Sequence, residues 1–291
     1  MFYDVTLRMS CKFGEHTASG RQILRVTPKA LAGRQRVIAC AVDFQPRPAE
    51  RSDGQDFFGN VLVEAAYRNV WREIAFVVNA RVSRTIEAAA LDLSPRLDAL
   101  GEAVERHWGL GPQSPLHFTG PSIRIQPDDA IARYGRDQVR PGMTVFEAVQ
   151  AVNNALFRDM QFDADATDVD TPASIAFAHR RGVCQDFTHI MITALRSLGI
   201  PAGYVSGLLR TKPPEGTARL EGADAMHAWV MAWCGEDAGW IELDPTNGIV
   251  VANEHILVAI GRDYSDVAPV SGVLKTTGAQ EIEQAVDVVA L

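Results

Sequence analysis

Cys184, His227 and Asp244 are the three side-chain types that a thiol nucleophile, its base and the base's orienting carboxylate require. They stand in RGVCQDFTH (residues 181 to 189), DAMHAWV (224 to 230) and WIELDPTNG (240 to 248). After the cysteine, Phe187, Ile190, Met191, Ala194, Leu195 and Leu198 recur at three- and four-residue spacing, the apolar stripe of an amphipathic helix. Gly199 suits the left-handed position past its end, and Pro201 stops it. Gly182 precedes the helix, so Cys184 falls at or within one residue of its N-terminus. Unpaired N–H groups and the positive end of the helix dipole favour a thiolate there. The same N–H groups can receive a developing oxyanion.

The histidine and the aspartate lie on an expected hairpin. MHAWVMAWC and WIELD alternate like strands, and GEDAG is a turn cluster between them. His227 opens the first strand and Asp244 closes the second. Around a turn near Glu236 and Asp237 the two positions come close to opposite one another, near enough for a carboxylate to hold an imidazole. Local pattern does not join Cys184 to His227; only a fold can. Asp186 and His189 are rivals on the cysteine's own helix. Five residues place His189 roughly 140° around the helix from Cys184, so it reads as structural. Cys234, Trp229, Trp233 and Trp240 read as packing for the hairpin, with one of the tryptophans a possible wall of the site. A metal set of Cys184, His227 and Cys234 has neither CxxC nor HxxxH spacing behind it, and neither metal nor organic cofactor is expected.

The three motifs, in this order, resemble the bacterial transglutaminase-like superfamily, a branch of the papain-like cysteine-nucleophile enzymes. The resemblance implies that Cys184, His227 and Asp244 are the catalytic residues. The tail NEHILVAIGRDYSDVAPVSGV (253 to 273) is similar to the segment after the triad in one bacterial subfamily, and residues 1 to about 82 resemble its N-terminal β-rich region. The implied chemistry is attack of the Cys184 thiolate on a carboxamide or peptide carbonyl, giving a thioester. Water then gives hydrolysis, an amine transamidation, and a protein that binds without reacting is the alternative from another class. Hydrolysis is favoured because the Pro/Gly loop from Lys212 to Glu221, at the rim of the expected cleft, is too short to seal it.

Composition suits such a protein. The chain has 291 residues, 47% of them hydrophobic and 22% charged, with net charge −8. That charge argues against nucleic acid and anionic membrane surfaces as partners and leaves a peptide or protein substrate. Cys11, Cys40, Cys184 and Cys234 form no dense framework and suit a reducing compartment. MFYDVTLRMS lacks the charged start and apolar run of a signal peptide, and no stretch approaches 18 uninterrupted apolar residues, so the cytoplasm is expected.

The texture changes along the chain. Tyr3, Val5, Leu7, Met9, Cys11 and Phe13 alternate with polar residues as a half-buried strand. Strand-like runs follow at QILRVTP, RVIACAVDF, NVLVEAAY and IAFVVNARVSRT, separated by turn clusters such as PRPAERSDGQD. Further on, SPRLDALGEAVERHW reads as a helix capped by Ser94 with Leu97, Leu100, Val104 and Trp108 on one face. TVFEAVQAVNNALF reads as a helix capped by Thr144. DADATDVDTPAS is acidic but lacks EF-hand spacing and reads as a solvated loop. The expected fold is α+β: an antiparallel β domain with a connecting segment over 1–127, and a papain-like catalytic domain of the transglutaminase type over 128–291.

Overall fold

The computed structural model describes the chain apart from residues 18, 70, 87–90, 212–221, 223 and 276–279. The loop expected from Lys212 to Glu221 lies outside the described residues.

Six strands open the chain: β1 (Phe2–Thr17), β2 (Ser19–Leu24), β3 (Gln35–Gln45), β4 (Glu50–Gln55), β5 (Val61–Tyr67) and β6 (Trp71–Arg84). The alternation in β1 does what its period demands, since Tyr3, Val5, Leu7, Met9, Cys11 and Phe13 are all buried. β4 corrects the sequence expectation. It lies inside PRPAERSDGQD and pairs with β5 from Glu50↔Ala66 to Gln55↔Val61. Every residue of β4 is exposed, so this edge strand rests on backbone hydrogen bonds and carries no apolar period to betray it.

The helices are α1 (Leu100–Glu105), α2 (Asp129–Gln138), α3 (Val145–Asp159), α4 (Ala173–His179), α5 (Cys184–Ser197) and α6 (Tyr264–Val267). α3 starts as its sequence predicts, with Thr144 and Glu147 forming a reciprocal capping box. Ser94 does not cap a helix of its own. Its Oγ accepts from Phe146 N at 3.0 Å, and Pro95 O accepts from Val145 N, so the segment serves the start of α3. The helix after it is consequently short, a 3₁₀ turn at Leu97–Ala99 and then α1. Trp108, expected on its apolar face, lies beyond its end and is exposed.

Among these helices run β7 (Gln161–Phe162) and β8 (Arg181–Gly182), a two-residue parallel pair. The remaining strands are β9 (Ala202–Leu209), β10 (Ala225–Trp233), β11 (Trp240–Asp244), β12 (Ile249–Val250), β13 (His255–Gly261), β14 (Val270–Lys275) and β15 (Gln280–Ala290). Five of them form an antiparallel sheet in the order β12-β11-β10-β9-β13. α5 packs against β9 and β10, with α2, α3 and α4 around it. All of α5 from Gln185 to Leu195 is buried, polar residues included, so it is a central helix rather than the half-exposed one its stripe suggests.

The other strands form two four-stranded sheets, β15-β1-β6-β3 and β14-β2-β5-β4. The last two strands of the chain thus complete the sheets begun by the first six. The β-rich part also covers the free edge of β13. Gln35 donates to Leu257 O and accepts from Leu257 N, and Asn60 does the same with Ile260. Two side-chain amides stand in for a missing neighbour strand, which an unpaired edge needs.

Candidate active site

Cys184 is the first residue of α5, preceded by Val183 in an extended conformation. Asp186 sets this start. Its Oδ2 accepts from Val183 N at 2.8 Å and from Thr167 Oγ1 at 2.6 Å. A Cβ at position 182 would come within 2.4 Å of that oxygen, which is why glycine precedes the cysteine. The N–H groups of Cys184 and Gln185 lie in the first turn, ahead of any intrahelical acceptor. The Cys184 thiol, half-buried, lies beside the imidazole of His227, close enough to bias its titration.

His227 Nε2 bonds Asp244 Oδ2 at 2.7 Å. The ring has one other nitrogen, so Nδ1 is left for Cys184. The hairpin's register differs from the expectation. Val230 pairs with Leu243 and Trp233 with Trp240, and this ladder continued sets Asp244 opposite Trp229. His227 is the next residue on the same face, so imidazole and carboxylate meet on the diagonal, still within side-chain reach. The fold therefore brings all three residues together, Cys184 from a helix and the other two from neighbouring strands.

Asp244 is fully buried and carries five hydrogen bonds. Oδ1 accepts from Thr246 N and Asn247 N at 2.9 and 3.2 Å. Oδ2 accepts from His227, from Asn247 Nδ2 at 2.6 Å and from His255 Nε2 at 3.0 Å. Burial alone would raise the carboxyl's pKa, but the bonds from His227, His255 and Asn247 hold it well below the usual range. His227 shows the converse. Burial would depress it, yet the Asp244 hydrogen bond and the neighbouring Cys184 carry it up to about 10. The imidazolium is the favoured form, and it stands beside Sγ.

Sequence reasoning passed over Asn247 and His255. The signal for Asn247 was an amide three residues after an aspartate in the turn DPTN. For His255 it was a lone imidazole opening the otherwise apolar strand HILVAIG. Ligand atoms of His227, Asp244 and His255 lie within 4.8 Å of one another, a spacing that a divalent cation could bridge. Both Nε2 atoms point at Oδ2 itself in bonds of normal length, so hydrogen bonding accounts for the cluster.

The rivals fall elsewhere. His189 Nε2 accepts from Tyr264 N at 3.3 Å, and burial pushes its pKa down to about 4. Asp186 serves the helix start, and Cys234 is buried just past the far end of β10, away from His227. Trp229 is fully buried and donates to Glu242 Oε2 at 2.8 Å, and Trp240 donates to Gln113 O. Glu242 in turn pairs with Arg84 and Arg34 of the β-rich part. No helix among the described residues is long and apolar enough to cross a membrane.

The transglutaminase-like superfamily model matches residues 132–245, and the bacterial transglutaminase-like N-terminal region matches residues 3–83. The chain is similar to an uncharacterized protein of Mycobacterium tuberculosis, 32% identical over 301 residues that cover 99% of this chain and 92% of that one. An uncharacterized protein of Mycobacterium leprae is 41% identical over 126 residues, 43% of each chain. Among solved structures, a candidate cysteine protease from Cytophaga hutchinsonii matches with TM-score 0.74 at 20% identity, covering all of this chain and 91% of the other. At that identity the likeness speaks for the fold.

Proposed function

The chain belongs to the transglutaminase-like superfamily, and from that premise we propose that it is a cysteine-nucleophile enzyme that hydrolyses an amide or peptide bond. One observation carries the reading: a thiol at the first position of a helix lies beside an imidazole that a buried carboxylate holds. The Cys184 thiolate adds to the carbonyl carbon, forming the C–S bond, while the N–H groups of the first turn receive the oxyanion. His227 gives its proton to the departing nitrogen and the C–N bond breaks, leaving a thioester on Cys184. His227 then takes a proton from water as its oxygen adds to the thioester; the C–S bond breaks, the acid leaves, and the Cys184 thiolate is restored beside the protonated His227. Asp244 holds the ring with Nδ1 toward sulfur and stabilises the imidazolium. Partial exposure of Cys184 supports water as the acceptor, since it leaves solvent a route to the thioester.

Two measurements test this. Iodoacetamide at neutral pH followed by peptide mapping should modify Cys184 first, and His227→Ala should slow that reaction. Cys11 and Cys234 are buried, and burial pushes both thiols up. Cys40 is exposed, but the protein atoms about its sulfur raise its thiol more than Arg51 lowers it. Faster labelling of any of these would overturn the assignment. A peptide library supplied with a labelled primary amine then separates release from incorporation. Predominant incorporation would make the chain a transamidating enzyme instead.

A further inference from the structure

His255 is buried at the start of β13, two strands from His227 in the sheet. Between them runs β9, where Gly207 pairs with His227 on one side and with Leu257 on the other. A Cβ on Gly207 would lie 2.2 Å from the Trp229 ring and 2.4 Å from Ile256 O. The missing side chain gives that ring its place, and the rings of His227 and His255 come to 5.9 Å from one another beside it. Trp229 meets His255 edge to face at 5.1 Å. The one side-chain hydrogen bond that His255 makes among the described residues goes to Asp244 Oδ2. Its Nδ1 is buried and has no partner among those residues. Nε2 therefore carries a proton and donates it to the carboxylate. A residue serving only to pack an otherwise apolar strand has no need of that donor.

We propose that His255 is a positioning residue of this site: by donating to Asp244 Oδ2 it takes a share of that oxygen and so limits how tightly the carboxylate holds the His227 proton. This rests on the reading of Cys184, His227 and Asp244 as the reacting thiol, its base and the orienting carboxylate. The two imidazoles address the same oxygen, His227 at 2.7 Å and His255 at 3.0 Å. The carboxylate keeps its orientation without His255, because Thr246 N, Asn247 N and Asn247 Nδ2 still bind it. Removing the His255 donor therefore leaves a more basic oxygen facing His227. Among the described residues, Cys184 from α5 faces His227, and Glu242 from β11 binds the Trp229 ring that packs on both imidazoles. Glu242 is already paired with Arg84 and Arg34 and bonded by Trp229. Glu254 precedes His255 in the chain, and its carbonyl accepts from Arg210 N.

The test compares His255→Met and His255→Gln in the full chain. The two side chains match in length, and only glutamine places an N–H where Nε2 was. The readouts are the ring chemical shifts of His227 across pH and the pH profile of Cys184 alkylation by iodoacetamide. In His255→Met, His227 should lose its proton about one pH unit higher than in the wild type, the scale of one charge-assisted hydrogen bond redistributed over two partners. His255→Gln should titrate as the wild type does. If the methionine variant does not fold, His255→Asn, whose amide is too short to reach Oδ2, takes its place with the same expected shift. An unmoved or lowered titration in the donor-less variant would overturn the proposal and leave His255 as packing. If His227→Ala alkylates as fast as the wild type, the thiol–imidazole reading itself fails, a result distinct from any His255 outcome.

Discussion

At the scale of single residues, Asp244 concentrates more consequence than the thiol does. All four of its lone-pair directions are taken up by five donors, so an amide in its place must turn an NH₂ group toward N–H groups whichever way it lies. Asp244→Asn is therefore expected to do two things at neutral pH. Turnover on any confirmed substrate should fall about 10³-fold or more, because an amide favours the wrong imidazole tautomer and cannot stabilise imidazolium. Stability should fall by about 1–3 kcal/mol, because a buried donor is left facing a donor. The pH sign is set by the depressed carboxyl. Its stabilising contribution is present above the ordinary value of 3.8 and is lost as pH falls through the folded-state value. Urea unfolding of wild type and variant across pH should thus show a constant gap at neutral pH that narrows below pH 3.8. An equal gap at all pH values, with turnover within a few-fold of wild type, would make Asp244 a turn residue before Pro245.

At the scale of elements, the start of α5 is built from outside the helix. Asp186 reaches back to Val183 N, and Thr167, in the acidic loop that enters α4, donates to the same carboxylate. Gly182 leaves the space that carboxylate occupies. Gly182→Ala should displace Asp186 and loosen the first turn, at about 1–3 kcal/mol for the forced clash. Because the displaced turn carries the thiol, Cys184 alkylation at pH 7 should slow by more than the loss of stability explains. An alanine variant with wild-type alkylation and melting temperature would show that the backbone yields without cost. The periodicity, Gly199 and Pro201 located this helix. What they could not show is that its polar face is buried too, where Thr188 and Thr193 return their hydroxyls to Cys184 O and His189 O. A hydroxyl satisfied within its own helix looks in sequence like one facing water.

At the scale of the whole molecule, the two matched regions are interleaved. β15 pairs with β1 from Tyr3↔Ala290 to Phe13↔Gln280, and β14 pairs with β2. A chain cut between residues 127 and 128 would leave β14 and β15 without partners and strip Gln35 and Asn60 from the edge of β13. It would also leave Glu242 buried without Arg84, an uncompensated charge of the kind that costs several kcal/mol. Residues 128–291 expressed alone should therefore lack a cooperative unfolding transition, whereas 1–127 and 128–291 expressed together should recover one. Cooperative unfolding of 128–291 alone, with Cys184 still reactive, would show that the sheet and its helices are autonomous.

The local parts of this site were legible in the sequence, because each obeys a rule that acts over a few residues. The helix start at Cys184, the strands carrying His227 and Asp244, and the capping box at Thr144 all come from period, turn residues and caps. The exposed edge strand β4, the diagonal meeting of His227 with Asp244 and the part played by Ser94 at the start of α3 do not. They depend on backbone pairing and on register, which a change of two residues alters without disturbing the alternation. His255 lay furthest from sequence reasoning. It reaches Asp244 across β9, where Gly207 leaves the Trp229 ring its place and β13 pairs on the far side, a proximity set by several strands at once.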